Sequence, residues 1–181
     1  WRMGMKIREL IGSLEHFAML QGHVEMDEAY VGGRRPGKRG RGAEGKTIVM
    51  GMKEHGGDIR AVVIPDVKKI TLRNVVLENV EPGSVVSTDE LMSYGLLTDE
   101  GYVHGRVSHS EKVWRGYDVK TRQFHSTNSV ETFWGLFKRS VRSTHIHVSN
   151  KYMDRYLAEF TFRSNHRMME NAMFDLIVAR V

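Results

Sequence analysis

Three acidic residues occupy positions at which a metal-dependent enzyme could use them. Asp27 lies in the alternating stretch VEMDEAYVGG, Asp89 ends the short stretch SVVSTD, and Glu131 lies in NSVETFWGLFKR, which has helical spacing. Mg²⁺ prefers oxygen ligands, and one or two carboxylates per ion suffice when substrate phosphates complete the shell. Two ions about 4 Å apart can serve the attacking and the leaving oxygen of an in-line displacement. The three acids therefore predict a phosphoryl-transfer site, provided that the fold brings them together.

Each acid taken alone also has a simpler interpretation. The chain contains 22 Asp and Glu residues, and most of them are expected to be solvated. Glu131 in a first helical turn would favour the helix dipole even without a catalytic role. Lys138 follows Glu131 by about two helical turns and so shares its face, where a lysine can meet DNA. The combination of two strand acids, one helix acid and the order of the predicted elements favours the catalytic interpretation.

The hydrophobic pattern predicts the elements that must position these residues. Apolar residues at helical spacing predict a helix from residue 2 to about residue 20. Alternation predicts strands at 23–31, 47–53 and 59–65, which form an antiparallel meander. The remaining elements predicted are a helix at 70–80, a strand at 84–89, a helical turn within 90–97, a strand near 105–109, an irregular polar segment at 110–127, and helices at 129–141 and 149–165.

This order predicts an α/β protein with an RNase H-like fold. Its mixed five-stranded sheet would combine the three-strand antiparallel meander with two parallel strands, and helices would flank it. Another α/β sandwich is the alternative.

Composition narrows the class of protein. There is no cysteine, which excludes disulfides, thiolate zinc sites and cysteine nucleophiles. No run approaches the roughly 18 apolar residues of a membrane span, and the first twenty residues carry charges throughout, unlike a signal peptide. We therefore expect a cytoplasmic protein. The net charge of +5 decides little by itself, because clustered positive charge is what DNA phosphates attract.

Positive charge is clustered in the Gly-rich loop at 34–46. It contains Arg34, Arg35, Lys38, Arg39, Arg41 and Lys46. The loop is interpreted either as a flexible arm against DNA phosphates or as a solvated loop. His109 and His125 flank the segment before the last acid and are candidates to position water or phosphate. Trp134 is interpreted as a core residue, with stacking on a base as the alternative.

Five stretches resemble one known family. They are VEMDEAYVGG, the basic Gly-rich loop, VVSTDE with the downstream Tyr94-Gly95, HSTNSVETFWGLFKRSV, and HVSNKYMDRYLAEFTFRSN. Together they cover roughly residues 20 to 167 and resemble the transposase domain of bacterial insertion sequences of the DDE class, in the ISXO-type branch. The resemblance implies a DNA transposase that cleaves transposon ends and joins the freed 3′-hydroxyl to target DNA.

The resemblance also implies the roles of individual residues. Asp27, Asp89 and Glu131 would bind two Mg²⁺ or Mn²⁺ ions when DNA is present, and Lys138 would contact DNA. Asn128 is the alternative third ligand within the family motif. A carboxylate neutralises a dication better than an amide does, so Asn128 is expected to cap the helix or support the site.

Partners and domains follow from the same resemblance. DNA, both transposon ends and target, is the expected partner, a homodimer is an additional arrangement, and the location is the bacterial cytoplasm at the nucleoid. Family members generally begin with a cysteine-based zinc ribbon and a helix-turn-helix. Residues 1–21 are therefore expected to be the tail of a DNA-binding region, and residues 22–181 the catalytic domain. The alternatives are an RNase H-like nuclease without strand transfer and a DNA-binding transposase remnant that does not cut.

Overall fold

A five-stranded mixed sheet forms the centre of the fold. The computed structural model describes residues 1–14, 18–32, 45–107, 115–119, 122–145, 148–169 and 172–179. The strands of the sheet are β1 (His23–Val31), β2 (Thr47–Glu54), β3 (Ile59–Ile64), β4 (Val85–Thr88) and β5 (Val103–Arg106). Their order is β3-β2-β1-β4-β5, in which β2 is antiparallel to β1 and β3, while β4 is parallel to β1 and β5. The predicted RNase H-like sheet is confirmed.

Five α-helices accompany the sheet within the described ranges. They are α1 (Arg2–Leu14), α2 (Lys69–Asn79), α3 (Asn128–Ser140), α4 (Met153–Asn165) and α5 (Ala172–Val178). Short helical turns of other types lie at Met92–Tyr94, Val141–His145 and Asn150–Tyr152. In the part of the chain that the structure describes, no helix has both the length and the apolar character needed to cross a membrane.

The two faces of the sheet are covered by different helices. Successive side chains of a strand point to opposite faces, so β1 sends Met26 to one face and Ala29 to the other. Met26 packs in a core that includes Leu72 and Val76 of α2. Ala29 packs in a second core, which the buried side chains of α3 and α4 complete. Burial on both faces explains why the central strand β2 is largely apolar.

A glycine on β2 allows α3 to approach the sheet next to Asp27. Gly51 pairs with Asp27 across β1 and β2. A Cβ built on Gly51 would lie 2.7 Å from Cζ2 of Trp134, closer than two packed carbon atoms can approach. The Trp134 indole is buried, and its Nε1–H donates to the backbone oxygen of Asp27 at 3.4 Å. Trp134 is thus a core residue, as the sequence indicated, and its ring is not available to stack on a base.

The first helix is shorter than predicted. It ends at Leu14 rather than near residue 20, and residues 15–17 lie outside the described ranges. Leu20 forms an isolated parallel bridge with Val80 and is buried in the core under α2, which requires an extended backbone there. The helix packs on α4, where Nε of Arg8 donates to Oε2 of Glu159 at 2.6 Å. Its role as the tail of a DNA-binding region stays a prediction.

The segment expected to be irregular contains a β-hairpin. Strands β6 (Arg115–Asp118) and β7 (Gln123–Ser126) pair antiparallel as a separate two-stranded sheet. The exposed rings of Tyr117 and Phe124 pack edge to face with centroids 5.0 Å apart. The prediction of an irregular segment was wrong for 115–118 and 123–126, because these strands are four residues long and mostly polar, too short for a period-2 pattern to be recognised.

Candidate active site

Asp27 and Asp89 come together because their strands are parallel neighbours. β1 and β4 pair in register from His23 with Val85 to Glu25 with Ser87, and each acid lies two residues beyond the last of these pairs. Asp89 follows the end of β4, and its Oδ1 accepts a hydrogen bond from the backbone N–H of Leu91 at 2.9 Å. One carboxylate oxygen each from Asp27, Glu28 and Asp89 can be chosen so that all three lie within 4.8 Å of one another.

Glu131 approaches the same place from the first turn of α3. Helix α3 packs against β1 and β2, and the negative charge of Glu131 is close enough to Asp27 to raise the pKa of the Asp27 carboxyl. Oε1 of Glu131 accepts a hydrogen bond from Oγ1 of Thr127 at 2.7 Å. The structure therefore brings all three acids together beside the middle of β1, just beyond the end of its pairing with β4, while their role as metal ligands stays a prediction.

The expected helix cap at Asn128 was wrong. Thr127 occupies the cap position, and Asn128 is the first residue of α3. The backbone N–H of Asn128 donates to Oγ of Ser126 at 3.1 Å, and its side chain is exposed. Thr127 is buried, and its side chain makes no capping hydrogen bond to the helix backbone, because its hydroxyl donates to Glu131.

The electrostatics of the site centre on Asp27. Burial raises the pKa of Asp27 from 3.8 to about 7, and repulsion by Asp89 and Glu131 adds to that rise. A hydrogen bond from the backbone of Glu28 and the positive charge of Lys138 act in the opposite direction. A carboxyl with such a pKa is only partly ionised at neutral pH. The site thus has more negative charge than the surrounding protein compensates.

Lys138 lies close to the acids, on the face of α3 that the sequence predicted. Burial lowers the pKa of its ammonium group, and attraction to Asp27 opposes that effect. The charges of Lys46 and Arg142 lower it further, so these two cations are also near. Lys138 thus lies beside Asp27 with two further basic residues next to it, and one of these, Lys46, ends the basic loop predicted from the sequence.

Sequence reasoning missed Glu28. Strand alternation directs Glu28 to the face opposite Asp27, yet its carboxylate reaches the acidic cluster. The hydroxyl of the buried Tyr94 donates a hydrogen bond to Oε1 of Glu28. Burial, followed by the charge of Glu28, raises the pKa of Tyr94 well above its usual value, so this hydroxyl remains a donor. The only signal in the sequence was the pair of adjacent acids in VEMDEAYVGG.

Of the remaining candidates from the sequence, His125 lies within the described ranges. His125 is buried, and its Nδ1 shares a hydrogen bond with Oγ of Ser87 at 2.7 Å. Burial also lowers the pKa of His125, which favours the neutral ring. The others lie outside the described ranges, namely His109, Arg34, Arg35, Lys38, Arg39 and Arg41.

Known proteins similar to this chain include a transposase-like relative and a solved structure. One, from Haemophilus influenzae, is described as an uncharacterized transposase-like protein and is 28% identical over 108 residues, which are 60% of this chain and 81% of that protein. The other is the solved Mos1 transposase paired-end complex with left transposon end, at 13% identity and a TM-score of 0.40, with 98% of this chain covered. This chain spans 62% of the length of that transposase chain. Residues 19–165 match the ISXO2-like transposase domain, and the chain therefore belongs to that transposase family.

Proposed function

We propose that this chain is the catalytic core of a DNA transposase that cleaves transposon ends and transfers the 3′-hydroxyl into target DNA. The observation that carries the proposal is the convergence of Asp27, Asp89 and Glu131 from β1, the end of β4 and the first turn of α3. Only the fold brings these distant positions together. Carboxylates that converge in this way carry negative charge that the protein does not fully compensate. Such a cluster suits phosphoryl transfer assisted by divalent cations.

The donor set fits Mg²⁺ or Mn²⁺. Hard dications prefer carboxylate oxygens, and the oxygens of Asp27, Glu28 and Asp89 lie within 4.8 Å of one another. The raised pKa of Asp27 supports the same conclusion, because a nearby dication would favour its ionised form. In the proposal Asp27, Asp89 and Glu131 hold the ions, and Glu28 is a further candidate. When bound, two such ions activate the attacking oxygen and stabilise the leaving oxygen.

The basic residues beside the acids would hold the DNA backbone. Lys138 lies near Asp27, and Lys46 and Arg142 lie near Lys138, so a phosphate that approaches the acids would also meet positive charge. The proposal adds the basic side chains of the preceding loop as further phosphate contacts. The loop residues concerned are Arg34, Arg35, Lys38, Arg39 and Arg41.

Neutralising Lys46 and Lys138, two residues of this basic border, should weaken DNA binding in a salt-dependent way. We expect the double variant Lys46→Gln/Lys138→Gln to lower the slope of log K against log salt by roughly one unit for each phosphate that the protein no longer neutralises. The matched control is Lys68→Gln/Lys69→Gln, which removes the same charge beside α2, the helix on the opposite face of the sheet from α3. Fluorescence anisotropy with duplex DNA over a range of about 50 to 300 mM salt would measure both slopes. Equal slopes in the two double variants would contradict the proposed binding of phosphate by this border.

The function itself is tested by cleavage and joining. The substrates are duplex DNA carrying the ends of the mobile element that encodes the protein, the same ends already nicked, and a supercoiled target plasmid. We expect the full-length protein to cleave the ends with Mg²⁺ or Mn²⁺ and to join the nicked 3′-hydroxyl to the plasmid. Cleavage without joining would replace the proposal by a nuclease, and binding with neither reaction would replace it by a DNA-binding remnant.

A further inference from the structure

The residue two positions before each strand acid is polar and buried. Glu25 precedes Asp27 on β1, Ser87 precedes Asp89, and both are at most 1% exposed. Residues i and i+2 of a strand share a face, so Glu25 lies on the face of Asp27, which α3 covers. Glu25 and Ser87 are also direct partners in the β1–β4 register. Glu25 and Ser87 thus form a pair of buried polar residues in the sheet, each two residues before one of the two acids.

The side chain of Glu25 connects β1 to the N-terminus of α3 through hydrogen bonds. Its Oε2 accepts hydrogen bonds from the backbone N–H groups of Ser129 at 2.7 Å and Val130 at 3.2 Å. Its Oε1 lies 2.7 Å from Nε2 of His55. The first N–H groups of a helix have no partner within the helix, and a negative charge is favourable at that end. The buried carboxylate is thereby compensated, and the turn that it holds contains Glu131.

Ser87 connects β4 to the strand that precedes α3 through a second set of hydrogen bonds. Its Oγ shares hydrogen bonds with Nδ1 of His125 at 2.7 Å and with Nε2 of His23 at 2.6 Å. The His125 ring lies directly on Gly105 of β5, because a Cβ there would fall 2.1 Å from its Nε2. His125 belongs to β7, the strand that leads into α3. The chain entering α3 is therefore held on β4, and its first turn is held on β1.

We propose that Glu25 is a positioning residue that sets the distance of Glu131 from Asp27 and Asp89, with the Ser87–His125 pair as its support. The proposal rests on the transposase function proposed above. The carboxylate of Glu25 is already engaged by α3 and His55, so it acts through the backbone of Ser129 and Val130 rather than on the substrate. A misplacement of about 1 Å far from the reacting atoms can cost as much as 100-fold in rate.

The test compares two substitutions that separate reach from charge. Glu25→Asp keeps the charge but is one methylene too short to reach α3, so we expect kcat for cleavage to fall by about 10- to 100-fold, as for other residues that orient metal ligands. Glu25→Gln keeps an oxygen at the same reach, and we expect it to retain most of the kcat that Glu25→Asp loses. The KM for DNA should be unchanged in both. Glu78→Gln, at an exposed position of α2, is the matched control.

Two further measurements do not depend on cleavage. Amide hydrogen exchange at Ser129 and Val130 should be faster in Glu25→Asp than in wild type or Glu78→Gln, because both N–H groups lose their acceptor. Mn²⁺ alone, titrated by electron paramagnetic resonance, should bind Glu25→Asp about tenfold more weakly than it binds wild type. If wild type cleaves no DNA but the exchange and Mn²⁺ results hold, the proposed function fails and the positioning role survives. If Glu25→Asp has the same kcat, the same exchange rates at Ser129 and Val130 and the same Mn²⁺ affinity as wild type, the positioning role is overturned. This holds even if the variant is less stable.

Discussion

Replacing Glu131 by Gln is expected to abolish metal-dependent cleavage and leave the fold intact, whereas Asn128→Ala should retain measurable activity. Glu131 is close enough to Asp27 to raise the pKa of that carboxyl, so its own carboxylate lies within electrostatic reach of the site. Asn128 is exposed at the first position of α3. A carboxylate neutralises a dication, and a neutral amide does not. We expect the loss in Glu131→Gln to exceed the roughly 100-fold that outer partners of a metal site cost.

The experiment needs a folded-state control and a charge control. Circular dichroism of Glu131→Gln should match wild type, because Gln can still accept the hydrogen bond from Thr127. Urea unfolding should show a protein at least as stable as wild type, because the substitution also relieves the repulsion between Glu131 and Asp27. Glu78→Gln removes one exposed carboxylate elsewhere and should cleave like wild type. The cleavage assays of Glu131→Gln and Asn128→Ala use the nicked and intact element ends with Mg²⁺. An inactive Asn128→Ala beside an active Glu131→Gln would move the third ligand one turn earlier in the chain.

The parts of the fold that could be predicted have a strong local signal. The strands of the meander alternate clearly or are continuously apolar, and the predicted bounds of β1 match the observed ones. Helix α2 ends before Pro82-Gly83, which cannot continue a helix. These signals depend on residues near one another in sequence. They were sufficient to find the strands, to predict a mixed five-stranded sheet, and to assign Asp27 to its first strand and Asp89 to the end of its fourth.

The parts that escaped prediction depend on residues far apart in sequence. Glu25 resembles any polar residue of an alternating strand, and its burial follows only from the arrival of the α3 N-terminus above it. Glu28 should face away from Asp27, but the buried Tyr94 hydroxyl binds its carboxylate beside the cluster. The β6–β7 hairpin is a local element and escaped prediction for a different reason. It packs two aromatic rings on an exposed face, so it lacks the buried stripe by which strands are recognised.

The raised pKa of Asp27 leads to a second large effect, on stability. The carboxyl has a pKa of about 7 in the folded protein and 3.8 as its ordinary value. Between these values the folded state binds a proton more tightly than the unfolded state, so the free energy of unfolding falls as pH rises through this window. The contribution is present below the unfolded pKa and is lost as pH passes the folded pKa. Above pH 7 the wild-type protein therefore carries an unfavourable charge when no divalent cation is bound.

Asp27→Asn should consequently stabilise the metal-free protein at about pH 8 while abolishing cleavage. A shift of this size corresponds to at most about 4 kcal/mol, and because Asp89 and Glu131 share the repulsion we expect a gain of about 1–3 kcal/mol at about pH 8, comparable to other stabilising changes at strained functional sites. The gain should shrink towards zero near about pH 4, where Asp27 is largely protonated. Urea unfolding in EDTA at both pH values measures it, with the exposed Asp99→Asn as the control for loss of one negative charge.

Divalent cations should reverse the order of stability. Mn²⁺ binds the folded wild type and adds a free energy of RT ln(1 + [L]/Kd), whereas Asp27→Asn lacks one of the proposed ligands and should gain little. Raising Mn²⁺ at the same alkaline pH should therefore close the gap between the two proteins and then favour wild type, while wild type and Asp99→Asn rise together. An Asp27→Asn protein that is less stable than wild type at this pH in EDTA would contradict the electrostatic argument. One that gains as much from Mn²⁺ as wild type would remove Asp27 from the proposed metal site, because its carboxylate would then contribute nothing to holding the ion.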